Sequence, residues 1–233
     1  MPPALAAGRR AAVKRCGAAV RRYDARMKIV VVGATGGTGK NVIERAKAAG
    51  HDVTAAVRRP EAVDGARAVK ADVLAPASLA AAFAGADAVF STIGPANMRK
   101  PGTLLSEGVG NMVAACEACG VKRFVYESGM IAGDGKGLGF AGRMMLGLGH
   151  LVMRAFVVER RRAEQIVAAS SLDYVIVRPP VLVHEPARGT YIHGVDAAIS
   201  LSKKLPHADV AAFLIRAAGD PALARTIQEI GEK

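Results

Sequence analysis

From Met27 onward the chain alternates short apolar runs with longer segments of helical periodicity. The runs are KIVVV (28–32), VTAAV (53–57), ARAVKA (66–71), DAVFSTI (87–93), RFVYES (123–128) and DYVIV (173–177). They are rich in β-branched residues and mostly continuous rather than alternating, which predicts strands buried on both faces of a parallel sheet. Helices are predicted between and after them at about 38–49, 76–84, 103–119, 152–170 and 207–218. Such repetition predicts an α/β fold, a doubly wound parallel sheet of Rossmann type, as one domain over residues 27–233. No internal repeat or interdomain linker interrupts it.

Two stretches break this rhythm. Residues 129–149 hold eight glycines in 21 positions. Glycine's backbone freedom makes ordering costly, so a mobile loop is predicted there. It follows the carboxyl end of a strand, which makes it a candidate active-site lid. Residues 1–26 are rich in Ala and Arg, with seven basic residues against one acid. They have no continuous apolar centre, as a secretory signal would, and contain no Ser or Thr, unlike an organellar transit peptide. A disordered basic extension and a cytoplasmic protein are therefore expected.

Composition narrows the function classes. With 233 residues, 51% of them hydrophobic, the chain can bury a sizeable core without cross-links. Three cysteines do not suggest a disulfide framework. The net charge is +12, and a surplus of six sits in the short head. Aromatics at 4% and the absence of Trp remove the stacking platforms of a nucleic-acid binder, so no such partner is expected. No membrane partner is expected either. The most apolar late stretch, 138–158, is interrupted by Arg143, His150 and Arg154, whereas a span needs ~20 apolar residues. The five histidines show no metal-ligand spacing. Cys116 and Cys119 form a CxxC near the end of a predicted helix, whose negative pole raises a thiol pKa, so they are read as small packing residues.

The chemistry-bearing signal is GATGGTGK, directly after the first strand. Gly33 permits a tight turn, Gly36 and Gly37 let backbone N–H groups approach a pyrophosphate, and Gly39 lets the helix pack close to the strand. Thr35 and Thr38 add hydroxyl donors. Asn41 follows Lys40, so the GK[ST] ending of an ATP-type loop is missing, and a dinucleotide is the expected ligand. The second strand ends in Arg58 and Arg59, where an NAD site would carry an acid for the ribose 2′-hydroxyl. Arginine pairs instead with a 2′-phosphate, so NADP (NADPH) is expected over NAD.

GATGGTGKNV, KADVLAPASLAAAFAGADAV, SEGVGNMVAACEACGVKRFVYES and SSLDYVIVRPPVL resemble the atypical short-chain dehydrogenase/reductases. The likeness is closest to the flavin reductase/biliverdin-IXβ reductase type and covers nearly all of 27–221. The resemblance implies that Gly33, Thr35, Gly36, Gly37, Thr38 and Gly39 hold the pyrophosphate and Arg58 the 2′-phosphate. It further implies that Asp72 and Val73 border the adenine, that Ile93 and Gly94 line the path to the nicotinamide ribose, and that Pro179 and Pro180 flank the nicotinamide. Ser128 matches the family's active-site serine.

The departures shape the expected activity. Most short-chain dehydrogenases use a Tyr-x-x-x-Lys pair, the lysine lowering the tyrosine pKa for proton transfer. The family register puts Phe156 and Arg160 at those places, and phenylalanine has no proton to give. Tyr174 and Tyr191 remain as donors if that register is shifted. The histidine that follows the Pro-Pro in the subgroup is replaced by Val181, with His184 out of register, and Glu127 is an unexplained charge in an apolar strand. The expected function is NADPH-dependent hydride transfer to a small-molecule flavin-, quinone- or tetrapyrrole-like acceptor, by a monomer without metal. The alternatives are a non-catalytic NADPH-binding redox sensor and an epimerase-like enzyme.

Overall fold

The computed structural model describes Lys14–Arg15 and residues 26–233. In chain order the elements are β1 (Lys14–Arg15), β2 (Lys28–Val32), α1 (Gly37–Ala48), β3 (Asp52–Val57), β4 (Arg67–Lys70), α2 (Leu79–Phe83), β5 (Ala88–Ser91), α3 (Leu104–Ala118) and β6 (Arg123–Glu127). There follow α4 (Phe140–Val152), α5 (Arg154–Ala169), β7 (Asp173–Arg178), β8 (Leu182–Val183), β9 (Ile192–Gly194), β10 (Leu205–Pro206), α6 (His207–Gly219) and β11 (Thr226–Gly231).

A nine-stranded sheet runs in the order β1-β9-β11-β7-β6-β5-β2-β3-β4. The strands from β11 to β4 pair in parallel, while β9 is antiparallel to both β11 and β1. Successive strands wind outward from β2 one way to β3 and β4, and the other way from β5 to β6 and β7. The order therefore reverses between β2 and β5, and the crevice outside their carboxyl ends is where such sheets take ligands.

The continuous apolar runs are explained by two cores. In β2, Ile29 and Val31 face a cluster with Val42, Ala46, Val210 and Leu214 of α1 and α6. Val30 and Val32 face the opposite cluster, with Val109 and Met112 of α3 and Ala163 and Val167 of α5. Both faces are covered, so every position of β2 after the exposed Lys28 is apolar. The fold is the Rossmann-like single domain expected from the pattern.

Three local expectations needed correction. The predicted helix at 76–84 is a 3₁₀ turn, Pro76–Ser78, followed by the five residues of α2. The glycine-rich 129–149 segment is not all loop, since its second half belongs to α4. Leu146 joins a small core with Met130, Leu138 and Ile192, and the absence of a side chain at Gly149 lets the helix rest on Ile131. That burial outweighs a glycine cost of about 1 kcal/mol per position. β9 and β11 had no counterpart in the pattern, because TIQEIG reads as polar. Its Gln228 and Glu229 are nonetheless buried, meeting His193 at 3.1 Å and Arg178 at 3.8 Å. The basic head lies outside the described residues except for Lys14 and Arg15, which pair with His193 and Ile192 at the sheet edge.

Candidate functional site

The β2–α1 turn is built around close backbone approach. Gly33 has φ +84°, and a Cβ there would lie 2.7 Å from the Thr92 carbonyl oxygen. A Cβ on Gly39 would run into the Gly33 carbonyl. The N–H of Gly36 donates to that same carbonyl at 3.0 Å, and α1 starts at the next residue with no acid in its first turn. The free N–H groups and the positive end of α1 thus face outward beside Lys40.

A cleft of about 400 Å³ opens at this turn. Eight of the residues anticipated for a cofactor line it: Gly33, Thr35, Gly36, Arg58, Asp72, Val73, Ile93 and Gly94. Lys40, Arg59 and Thr92 also line it. Three cations and one carboxylate in a glycine cradle suit a ligand with several phosphates, so these residues fit a dinucleotide. Val73 is set by α3, where Asn111 Nδ2 donates to its carbonyl at 2.8 Å and Gly108 leaves room for its side chain. Gly37, Thr38 and Gly39 lie behind the cleft wall. Thr38 turns its hydroxyl inward rather than toward the cleft, and a Cβ on Gly37 would meet Nε2 of both His207 and His184 at 2.7 and 2.9 Å.

Ser128, Pro179 and Pro180 sit together at the adjacent strand ends. The Ser128 N–H donates to the Val177 carbonyl, and the Met130 N–H to that of Pro179. The buried Ser128 Oγ, Tyr126 hydroxyl and Arg160 Nε face one another here, Ser128 and Arg160 within reach of the Tyr126 hydroxyl though none makes a hydrogen bond of regular geometry. Arg160 and Ser128 both favour the Tyr126 phenolate, but burial dominates and pushes the hydroxyl up to about 12. Arg160 lies 4.9 Å over the Phe156 ring and donates from Nη1 to the Glu127 carbonyl at 3.1 Å. Phe156 and Arg160 therefore stand together, with Arg160 reaching the strand end just before Ser128. Of the alternative tyrosines, Tyr174 stacks under Arg225 at the amino end of β7, the end remote from the cleft. Tyr191 packs edge-on against Phe213 in the core.

Glu127 has a structural role. Its carboxylate points to the α1–α6 face, where Thr38 Oγ1 donates to Oε1 at 2.8 Å. The same Oγ1 meets His207 Nδ1 at 2.8 Å, and the His207 ring packs 4.6 Å from that of His184. Burial pushes Glu127 up to about 7, against the opposing effects of Thr38 and Arg160. Burial, then the neighbouring His184, lowers His207. In the sequence Glu127 is only an anomaly, because its partners come from the distant α1 and α6. The CxxC pair is inert packing: Cys116 is fully buried, and burial drives its thiol far upward. Among the described residues no group of three or more His, Cys, Asp or Glu could hold a metal.

Comparison with known proteins shows the family and the fold. The family model described as NAD(P)H-binding matches residues 33–221. The uncharacterized sugar epimerase YhfK of Bacillus subtilis is 30% identical over 174 residues, covering 70% of this chain and 76% of that protein. The anaerobillin reductase ChuY of Escherichia coli O157:H7 superposes with a TM-score of 0.71 at 24% identity, over 88% of this chain and 97% of its own. A short-chain dehydrogenase/reductase of Veillonella parvula in complex with NADP gives 0.69 at 19% identity, over 88% and 94%. These two likenesses show the fold. The chain belongs to the NAD(P)H-binding family, with short-chain dehydrogenase/reductase-like oxidoreductases among its structural neighbours.

Proposed function

We propose that the protein is an NADPH-dependent reductase for a flavin-, quinone- or tetrapyrrole-like acceptor. The observation that carries this reading is the cationic, glycine-cradled cleft at the carboxyl ends of the strands, with the buried Ser128 hydroxyl at the neighbouring strand end.

In this reading Lys40, Arg58 and Arg59 hold phosphates, with Arg58 on the 2′-phosphate, and the Gly33–Gly39 turn cradles the pyrophosphate. Asp72 and Val73 border the adenine, Ile93 and Gly94 lead to the ribose, and Pro179 and Pro180 flank the nicotinamide ring. When bound, the cofactor supplies a hydride. Ser128 orients the acceptor by donating a hydrogen bond, and Arg160 Nε offers a second donor. With phenylalanine at position 156, no tyrosine delivers a proton from that position, which suits extended conjugated acceptors that take their proton from water. The name of the ChuY neighbour, an anaerobillin reductase, supports the tetrapyrrole branch. The relative named as a sugar epimerase supports an epimerase-like reading, but such chemistry at a carbinol carbon calls for the tyrosine that Phe156 replaces.

Steady-state oxidation of NADPH against a panel of flavins, quinones and tetrapyrroles tests the proposal. Turnover with at least one class is expected. Tight NADPH binding without turnover on any acceptor would favour a redox sensor instead.

A further inference from the structure

The 13 residues of α4 contain no acid and no lysine. Its inward side is narrow, with Leu146 in the small core and Gly149 against Ile131. Its two polar side chains are folded back: Arg143 donates to the Leu138 carbonyl and His150 Nε2 bonds that of Ile131. The outward side carries Phe140, Met144, Leu148, Leu151 and Val152, each between 62% and 84% exposed. Their three- and four-residue spacing makes one uninterrupted apolar stripe. Contiguous patches of this kind mark interaction surfaces.

α5 begins one residue after α4 ends, bent from it by 102°. Its exposed side carries Arg154, Arg161 and Arg162 around Val158, Arg161 donating to the Ala132 and Gly133 carbonyls and Arg162 pairing with Glu159. Residues 134–162 hold six basic side chains against two acids, Asp134, which pairs with Lys136, and Glu159, which is buried on Ser106 and Arg162.

We propose that α4 lies flat on an anionic membrane surface, its apolar stripe among the acyl chains and the α5 arginines against lipid phosphates. Length decides between lying and spanning. Thirteen residues reach only about 20 Å, short of the ~30 Å hydrocarbon core, and among the described residues no single helix is long and apolar enough to cross. Charge decides the occupant. A symmetric second copy would set the same patch, with its surplus of positive charge, against itself. An anionic lipid surface offers the opposite charge and the apolar depth that the stripe requires. The expectation of no membrane partner rested on the absence of a span, a criterion that does not test for surface contact.

Co-sedimentation of the full chain with phosphatidylcholine vesicles, with and without phosphatidylglycerol, tests this contact independently of any acceptor. Wild type is expected to sediment with the phosphatidylglycerol vesicles. The double variant Leu148→Glu/Leu151→Glu should partition roughly tenfold less or worse, with its melting temperature unchanged because both side chains are exposed. Undiminished binding of the double variant would overturn the proposal by assigning the contact to bare positive charge, including that of residues 1–26. Failure of wild type to bind would also overturn it. So would a solution dimer that the same substitutions dissociate, since the stripe would then belong to a second copy.

Discussion

The hydroxyl of Thr38, in the first turn of the phosphate-loop helix, donates to the carboxylate of Glu127, the last residue of the central strand β6, at 2.8 Å. This bond ties the helix whose N-terminus faces the cleft to the strand that ends at Ser128. His207 extends the tie to α6 through the same hydroxyl oxygen. Anything that moves Glu127 therefore shifts the phosphate turn and the acceptor side together.

The tie should be visible in the pH dependence of stability. The groups that face Glu127 are Thr38 from α1 and Arg160 from α5, with His207 and His184 beyond Thr38. Glu127 holds its proton more tightly in the folded chain than in the unfolded one, its ordinary value of 4.5 being raised to about 7. Its contribution to stability is therefore most favourable at low pH and is lost as pH rises from about 4.5 through about 7. Glu127→Gln keeps the hydrogen bond without the charge. The variant should melt higher than wild type at pH 8, by roughly 1–3 kcal/mol, with the gap closing toward pH 5. Melting curves across that range measure it. A constant gap would mean that Glu127 does not titrate there.

Arg58 should decide the cofactor. Arg58→Asp is expected to weaken NADPH binding about ten- to a hundredfold while changing NADH binding much less, since a charge-assisted bond contributes roughly 1.5–3 kcal/mol. Fluorescence titration of both cofactors gives the ratio. A wild type that prefers NADH would remove the basis for the 2′-phosphate assignment.

Two glycines should respond in opposite directions. At Gly39 a Cβ meets the Gly33 carbonyl and the Ala34 Cα, and neither can yield without moving the turn. Gly39→Ala should cost about 1–3 kcal/mol and most of the cofactor affinity. A Cβ added at Gly147, in α4, would meet no neighbouring atom within 4 Å, so Gly147→Ala should stabilise by up to about 1 kcal/mol. Denaturant melts of the pair test whether close approach, rather than glycine content, is what the turn requires.

Ser128→Ala should separate stability from turnover. Removing a buried hydroxyl that makes no hydrogen bond of regular geometry is expected to change the melting point little. Acceptor reduction should fall, but by less than the ~10²–10⁴-fold typical of a lost general acid. Phe156→Tyr should change flavin reduction little. Near-total loss in Tyr126→Phe with cofactor binding retained would instead make that hydroxyl the proton donor.

The amino-acid sequence alone determined the parallel core and the phosphate turn, because both are written locally. Strands covered on two faces are apolar along most of their length, and the Gly39 contact with the Gly33 carbonyl arises within seven residues of chain. The missing acid after β3 was equally local, and Arg58 lines the cleft as its position implied. Tertiary structure decided what depends on partners distant in the chain. β11 is polar by sequence, and its Glu229 is buried beside Arg178 of β7, burial pushing its carboxyl up to about 7 against the pull of that arginine. α4 forms through a glycine-rich stretch because Ile131 and Leu138 give it a seat. Glu127 looked like an error in an apolar strand until Thr38, 89 residues earlier in the chain, and His207, 80 residues later, closed around it. A local pattern records the backbone that a residue prefers, whereas the energy of a buried charge is set by neighbours that only the folded chain brings into contact.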